Sequence, residues 1–186
     1  MNKLPDDIQR VMDNAVCLYS ESEIEKEIDR VAKEMYEKLH DQNPLFLSVM
    51  NGAVIFTGKL ITRLNFPLQM DYVHATRYRG EMQGRDLHWL SVPTISLENR
   101  VIVVMEDILD SGLTLAAVMD YCIQQNAKKV YSATLVDKNH PRDVDGVKKA
   151  DFTGLTVDDK FLIGYGLDYK EYFRNLPGIY AVEKKD

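Results

Sequence analysis

Cysteine is almost missing from the chain: Cys17 and Cys122 are the only two, and they form no Cys-x-x-Cys or Cys/His ligand spacing. That excludes a zinc ribbon or a disulfide framework, and both thiols read as ordinary buried residues. Long hydrophobic runs are missing as well, so no stretch approaches membrane-spanning length. Residues 1–7, Met-Asn-Lys-Leu-Pro-Asp-Asp, are acidic with no apolar run behind them, which argues against a secretory signal and for a cytoplasmic protein. There is no excess of positive charge. The 23 Lys and Arg face 29 Asp and Glu, and the net charge of -6, with basic residues scattered, disfavours nucleic acid as a partner. An anionic small molecule stays admissible, because backbone dipoles and a bound metal override overall charge at a single site. No Walker A loop is present: five residues separate Gly52 from Gly58-Lys59, and Leu60 replaces the hydroxyl residue. No Gly-x-Gly-x-x-Gly opens a helix. His74, His88 and His140 lack metal-ligand spacing and read as structural or surface residues.

What is present is an ordinary globular composition, 45% hydrophobic and 28% charged in 186 residues, enough for one domain with a sizeable core. Ile24, Ile28, Val31, Met35 and Leu39 recur at helical spacing, and Ser22 with Glu25 matches a capping box, predicting a helix over 22–39. Residues 45–50 predict a strand that ends in the Asn51-Gly52 turn, with a helix over 53–64. A strand over 68–75 precedes a polar stretch, 77–88, whose Gly80 and Gly84 suit a mobile loop. Val101-Ile102-Val103-Val104-Met105 is apolar at every position, as a strand covered on both faces must be. A helix over 113–125, a buried strand over 130–136 and short strands near 161–164 and 178–182 follow. Alternating strands and helices predict a three-layer α/β fold, a central mostly parallel sheet flanked by helices, with the ligand site at the carboxyl ends of the strands.

The most informative stretch continues that buried strand into Glu106-Asp107-Ile108-Leu109-Asp110-Ser111-Gly112-Leu113-Thr114. Carboxylates at a strand terminus can hold sugar hydroxyls, directly or through a hydrated Mg²⁺. A small polar turn entering a helix points successive N–H groups at one phosphate, aided by the Ser111 and Thr114 hydroxyls. The plain alternative is a helix cap with solvated acids beside it, which accounts for any one residue better than for the whole run.

This run resembles the phosphoribosyl pyrophosphate (PRPP) signature of type I phosphoribosyltransferases and matches each of its defining positions. The resemblance implies that family's fold with a small cap (hood): one domain over 1–186, its core about 40–150, its cap formed by the N-terminal segment and about 151–186. It also implies that Glu106 and Asp107 bind the ribose and that Asp110, Ser111, Gly112, Leu113 and Thr114 bind the 5-phosphate. Asp110 falls where the purine branch has an acid near the base N7, the place for general-base help.

Three further segments are similar to the hypoxanthine-guanine branch. Lys138 in Leu135-Val136-Asp137-Lys138 falls where a lysine donates to the purine's C6 oxygen, an ammonium having only donors to offer. Phe161 would stack on the purine, the Leu162 backbone would meet its Watson–Crick edge, and Asp168 would ligate Mg²⁺, with Glu106 and Asp107 contributing through water or ribose. Arg174, with Asn51 and Gly52 at the turn, would bind pyrophosphate. Two positions depart from the pattern: Asn51 stands where several members carry Lys or Arg, and Arg77 before Tyr78 stands where a hydroxyl is common in the lid loop. The implied activity is transfer of phosphoribose from PRPP to hypoxanthine or guanine in purine salvage, with Mg²⁺, by a homodimer or homotetramer. Other readings are a phosphoribosyltransferase for xanthine, adenine or a pyrimidine, and a PRPP-sensing regulator, which should lack the base pocket and carry a basic surface.

Overall fold

A computed structural model describes residues 4–77 and 87–182. Tyr78, Gly80 and Gly84 of the expected lid loop lie outside them. The elements in chain order are α1 (Asp6–Asn14), β1 (Val16–Tyr19), α2 (Glu21–Leu39), β2 (Leu45–Met50), α3 (Val54–Ile61), β3 (Gln69–Arg77) and β4 (Leu87–Ser91). Then come β5 (Val101–Leu109), α4 (Leu113–Gln124), β6 (Lys129–Asn139), β7 (Phe152–Asp158), β8 (Phe161–Ile163) and β9 (Ile179–Val182).

Six strands form the main sheet in the order β4-β3-β2-β5-β6-β7, parallel throughout except for the β3–β4 pair at one edge. Alternate residues of β5 enter opposite cores. Val101, Val103 and Met105 pack with α2 and α3 residues such as Ile28, Met35 and Phe56, while Ile102 and Val104 pack with Leu115, Val118 and Cys122 of α4. That two-sided burial is what the unbroken apolar run predicts, and it makes the three layers. The chain lays β2 and β3 to one side of β5 and β6 and β7 to the other, so the order reverses between β2 and β5. In open α/β sheets the crevice at such a reversal receives the ligand.

A second sheet, β1-β9-β8, is antiparallel and joins the two ends of the described chain. β7 departs from the expected boundary: residues 152–158 pair with β6 and close the main sheet, so the small sheet draws only on β8, β9 and β1. Cys17 is exposed, not buried, because β1 is an edge strand and its first residues face solvent.

The first helix-start signal also moves. Ser20, not Ser22, caps α2, with the Glu23 carboxylate accepting from the Ser20 N–H at 2.9 Å and its hydroxyl at 2.6 Å. Glu25 turns instead toward α3 and the C-terminal segment, where Lys59 lies at 2.8 Å, the Tyr165 hydroxyl donates to it at 2.6 Å and Arg63 pairs with it. Burial alone would raise the Glu25 carboxyl, but Lys59, Tyr165 and Arg63 overcome it and hold the group at about 2. A carboxyl lowered on folding contributes stability that is complete above its unfolded value, 4.5, and is lost as pH falls toward about 2. Thermal unfolding across that window should therefore show a shallower loss of Tm in Glu25→Gln than in the unsubstituted protein; parallel curves would remove the cluster from the account.

Candidate active site

β5 runs further than its apolar residues indicate, carrying Glu106 and Asp107 inside the strand and not beyond it. Its two neighbours explain the placement. Pairing with β2 stops at Ser48↔Met105, whereas pairing with β6 continues through Glu106↔Thr134 to Leu109↔Asp137. The two acids thus sit on a stretch of β5 hydrogen-bonded on one side and open toward the end of β2. Both are only 8% exposed. Burial pushes Glu106 well above the ordinary carboxylate range, reinforced by the neighbouring Asp107. Burial raises Asp107 too, although its bond to Glu106 and the nearby Arg174 oppose the rise. Glu106 Oε2 has no hydrogen-bond partner among the described residues, the mark of a buried oxygen awaiting a donor or a cation.

Two cavities of about 250 Å³ meet at these acids. One is enclosed by the run from Glu106 to Gly112 with Thr114 and Leu115. The other lies between Met50, Asn51 and Gly52 at the end of β2, His74 where the pairing of β3 with β2 stops, and Asp168, Glu171 and Arg174 of the C-terminal segment, and it too includes Glu106, Asp107 and Thr114. Gly52 makes the junction possible: a Cβ there would collide with the Asp107 carboxylate. The peptide bond between Met50 and Asn51 is cis.

The first cavity has the geometry of an anion site. Gly112 adopts φ +79° immediately before α4, a conformation that disfavours a side chain. From the outer side, Arg142 Nη1 donates to the Asp110 carbonyl at 2.9 Å, the Asp143 N–H to the Ser111 carbonyl at 3.2 Å and the Val147 N–H to the Gly112 carbonyl at 3.0 Å. In a trans peptide the C=O and the following N–H point opposite ways. The outward carbonyls of Asp110 and Ser111 therefore turn the N–H groups of Ser111 and Gly112 inward, at the positive end of the helix dipole, while the Gly112 carbonyl also accepts from the Ala116 N–H of α4 at 3.0 Å and the Leu113 N–H lies 3.4 Å from the Ser111 hydroxyl.

Beside this loop, β6 also extends past its expected end, so Lys138 is a strand residue, 7% exposed, and not a lysine following the strand. Its ammonium lies 3.4 Å from Asp110 and 3.3 Å from Asp159. Asp110, His140 and Asp159 present ligand atoms within 4.8 Å of one another, and the cation held among them is the Lys138 ammonium. Phe161 follows Asp159 closely and meets Tyr169 edge-on at 5.8 Å. Leu162 buries its side chain, and because β8 is an edge strand its unpaired side leaves peptide groups for another partner. Asp168 and Arg174 pair at 2.6 Å, with Arg174 also donating to the Gly166 carbonyl at 2.7 Å and pairing with Glu171 at 3.0 Å. The arginine is thus oriented at the cavity by its own segment. Arg77 ends β3.

The structure brings together residues far apart in sequence, and some had no local signal. His140, read from sequence as structural or surface, approaches Asp110 with Nε2 at 2.7 Å. His74 lines the second cavity, and Arg142 and Asp159 hold the loop and the lysine. Lys138 and Asp110 were singled out by motif; their bonded neighbours become visible only in the fold.

A family model described as phosphoribosyl transferase domain matches residues 17–170. The chain is 37% identical to a hypoxanthine-guanine phosphoribosyltransferase of Bacillus subtilis over 87% of this chain and 89% of the relative. It is 33% identical to a hypoxanthine-guanine-xanthine phosphoribosyltransferase of Tritrichomonas foetus over 94% of this chain and 91% of the relative. A hypoxanthine phosphoribosyltransferase structure from Staphylococcus aureus superposes with a TM-score of 0.86, covering 97% of each chain, at 23% identity, a likeness of fold.

Gly112→Ala tests the anion loop. Its methyl group would meet the Val147 backbone and its φ would be strained, at a cost of about 1–3 kcal/mol and a Tm lower by roughly 2–10 °C. Calorimetry reads the result, and an unchanged Tm would contradict the described loop conformation.

Proposed function

Because the chain belongs to the phosphoribosyl transferase family, we propose that it transfers the 5-phosphoribosyl group of PRPP to a 6-oxopurine, hypoxanthine or guanine. The products are IMP or GMP and pyrophosphate, and the role is purine salvage. The observation that carries this reading is the meeting of two cavities at Glu106 and Asp107, with the buried Lys138 ammonium beside the first.

In this reading the inward N–H groups of Ser111 and Gly112, with the N–H of Leu113 and the Ser111 and Thr114 hydroxyls, bind the 5-phosphate. Glu106 and Asp107 accept hydrogen bonds from the ribose hydroxyls, which supplies the donor that Glu106 Oε2 lacks among the described residues. Pyrophosphate occupies the second cavity against the backbone of Asn51 and Gly52 and the guanidinium of Arg174. The purine lies between Phe161 and the ribose, with its C6 oxygen on Lys138 and its Watson–Crick edge on the backbone of Leu162. As the bond from C1 to pyrophosphate breaks, positive charge develops on the ribose ring, and the nearby carboxylates stabilise it. N9 of the base attacks the opposite face of C1, while Asp110 accepts the N7 proton or a strong hydrogen bond from it.

The residues present fit Mg²⁺: Asp168, Glu106 and Asp107 bring hard carboxylate oxygens to one cavity. Asp168 would hold it, and when bound it supplies positive charge to the leaving pyrophosphate. Arg77 and Tyr78 belong to the segment assigned as a lid that keeps water from the ribosyl centre. No helix among the described residues is long and apolar enough to cross a membrane. We place the reaction in the cytoplasm and the protein in a homodimer or homotetramer, as the family resemblance implies.

Two substitutions test the residue roles. Lys138→Gln replaces a donor-only group by one that both donates and accepts. It should lower kcat/KM for hypoxanthine by about 10–100-fold while narrowing the preference for hypoxanthine over adenine. An unaltered preference would remove Lys138 from base recognition. Asp110→Asn should lower kcat far more than it weakens PRPP binding, as steady-state rates and calorimetric titration would read out. Equal losses would mean that Asp110 only shapes the phosphate loop.

A further inference from the structure

Asp110 is a poorly anchored residue for the work assigned to it. Its side chain is 54% exposed, and an exposed carboxylate explores several rotamers. Both contacts recorded for its carboxylate fall on one oxygen, Oδ1: His140 Nε2 at 2.7 Å and the Lys138 ammonium at 3.4 Å. No partner for Oδ2 is found among the described residues. The two contacts on Oδ1 differ in permanence. Lys138 is shared with Asp159 at 3.3 Å, and a purine whose C6 oxygen takes the ammonium draws it further from Asp110. His140 has no such competing task in the proposed complex. It is held at the end of β6, where its N–H donates to the Lys138 carbonyl at 3.0 Å. Two residues on, Arg142 pairs with Asp137 and donates to the Asp110 carbonyl at 2.9 Å. One short segment after β6 therefore grips Asp110 twice, at its backbone through Arg142 and at its carboxylate through His140.

We propose that His140 is a positioning residue for the transfer reaction: its Nε2–H holds Asp110 Oδ1 so that Oδ2 is presented to N7 of the bound purine. The neutral Nε2–H tautomer and the imidazolium both donate from this nitrogen, so the contact is made in either form. A charge-assisted hydrogen bond at 2.7 Å has the length expected of a strong one. His140 does not touch substrate in this arrangement. It acts through Asp110, and the inference rests on the role proposed above for that acid.

A double-mutant cycle separates the two. His140→Ala should lower kcat by about 10-fold, the loss of one hydrogen bond to a charged group, and leave KM for PRPP within about twofold. His140→Gln, whose amide nitrogen reaches about as far as Nε2, should restore most of kcat. In an Asp110→Asn background, His140→Ala should cost little more, because a residue that acts through another has nothing left to position. The inference is overturned if His140→Ala lowers kcat equally in both backgrounds, if it leaves kcat unchanged while Asp110→Asn lowers it, or if Gln is no better than Ala and KM for PRPP rises with both. In each of those cases the role of Asp110 stands. If Asp110→Asn itself leaves kcat intact, the reading of Asp110 fails and the inference falls with it.

Discussion

Two carboxylates side by side on the central strand, nearly sealed from water, are the constraint around which the site is arranged. Burial disfavours the ionised forms of Glu106 and Asp107, and mutual repulsion within the pair adds to the cost. A sheet accommodates such a pair only where something opens beside it. Here the opening is made by β2 ending two residues after its last pair with β5, and by Gly52, whose missing side chain leaves room for Asp107. In the proposed reading the same gap admits ligand hydroxyls and a cation, either of which would relieve the cost of burial, so that stability and binding would be coupled through one pair of residues.

Around that pair the chain uses its return segments as braces. Residues 142–147 bond the outer carbonyls of the loop over 110–112, and the C-terminal segment brings Asp168 and Arg174 to the other cavity. Tyr165, buried and bonded to Glu25, anchors the start of that segment on α2. Neither brace is itself part of the buried strand, yet each fixes groups that a flexible loop would leave to wander. Preorganisation of this kind places hydrogen-bond donors before charge develops, which is how such donors contribute most to rate.

Much of this was legible in the sequence because the decisive chemistry is local. The apolar run of β5, the acids and the turn into α4 occupy consecutive residues, so strand, carboxylates and anion loop could be read together. The matches around Lys138, Phe161, Asp168 and Arg174 placed the remaining groups by resemblance, and the fold brings Asp168 and Arg174 to the cavity that Glu106 and Asp107 share. What was not legible depends on pairing between distant segments. β7 joins the main sheet through β6, β1 joins the small sheet through β9, and neither partner can be inferred from a short, mixed stretch alone. Ser20 displaced Ser22 as the cap because Glu25 is claimed by α3 and Tyr165, contacts with no trace in helical periodicity. His140 was passed over for the same reason: its partner lies thirty residues earlier, across a strand pair.

The account stands most directly on nucleotide formation by the purified protein from PRPP and Mg²⁺, with hypoxanthine, guanine, xanthine and adenine each offered alone and the product identified by mass. It predicts IMP from hypoxanthine and GMP from guanine, with adenine inert. Binding of PRPP without consumption of any base, or turnover of adenine in preference to the oxopurines, would contradict it.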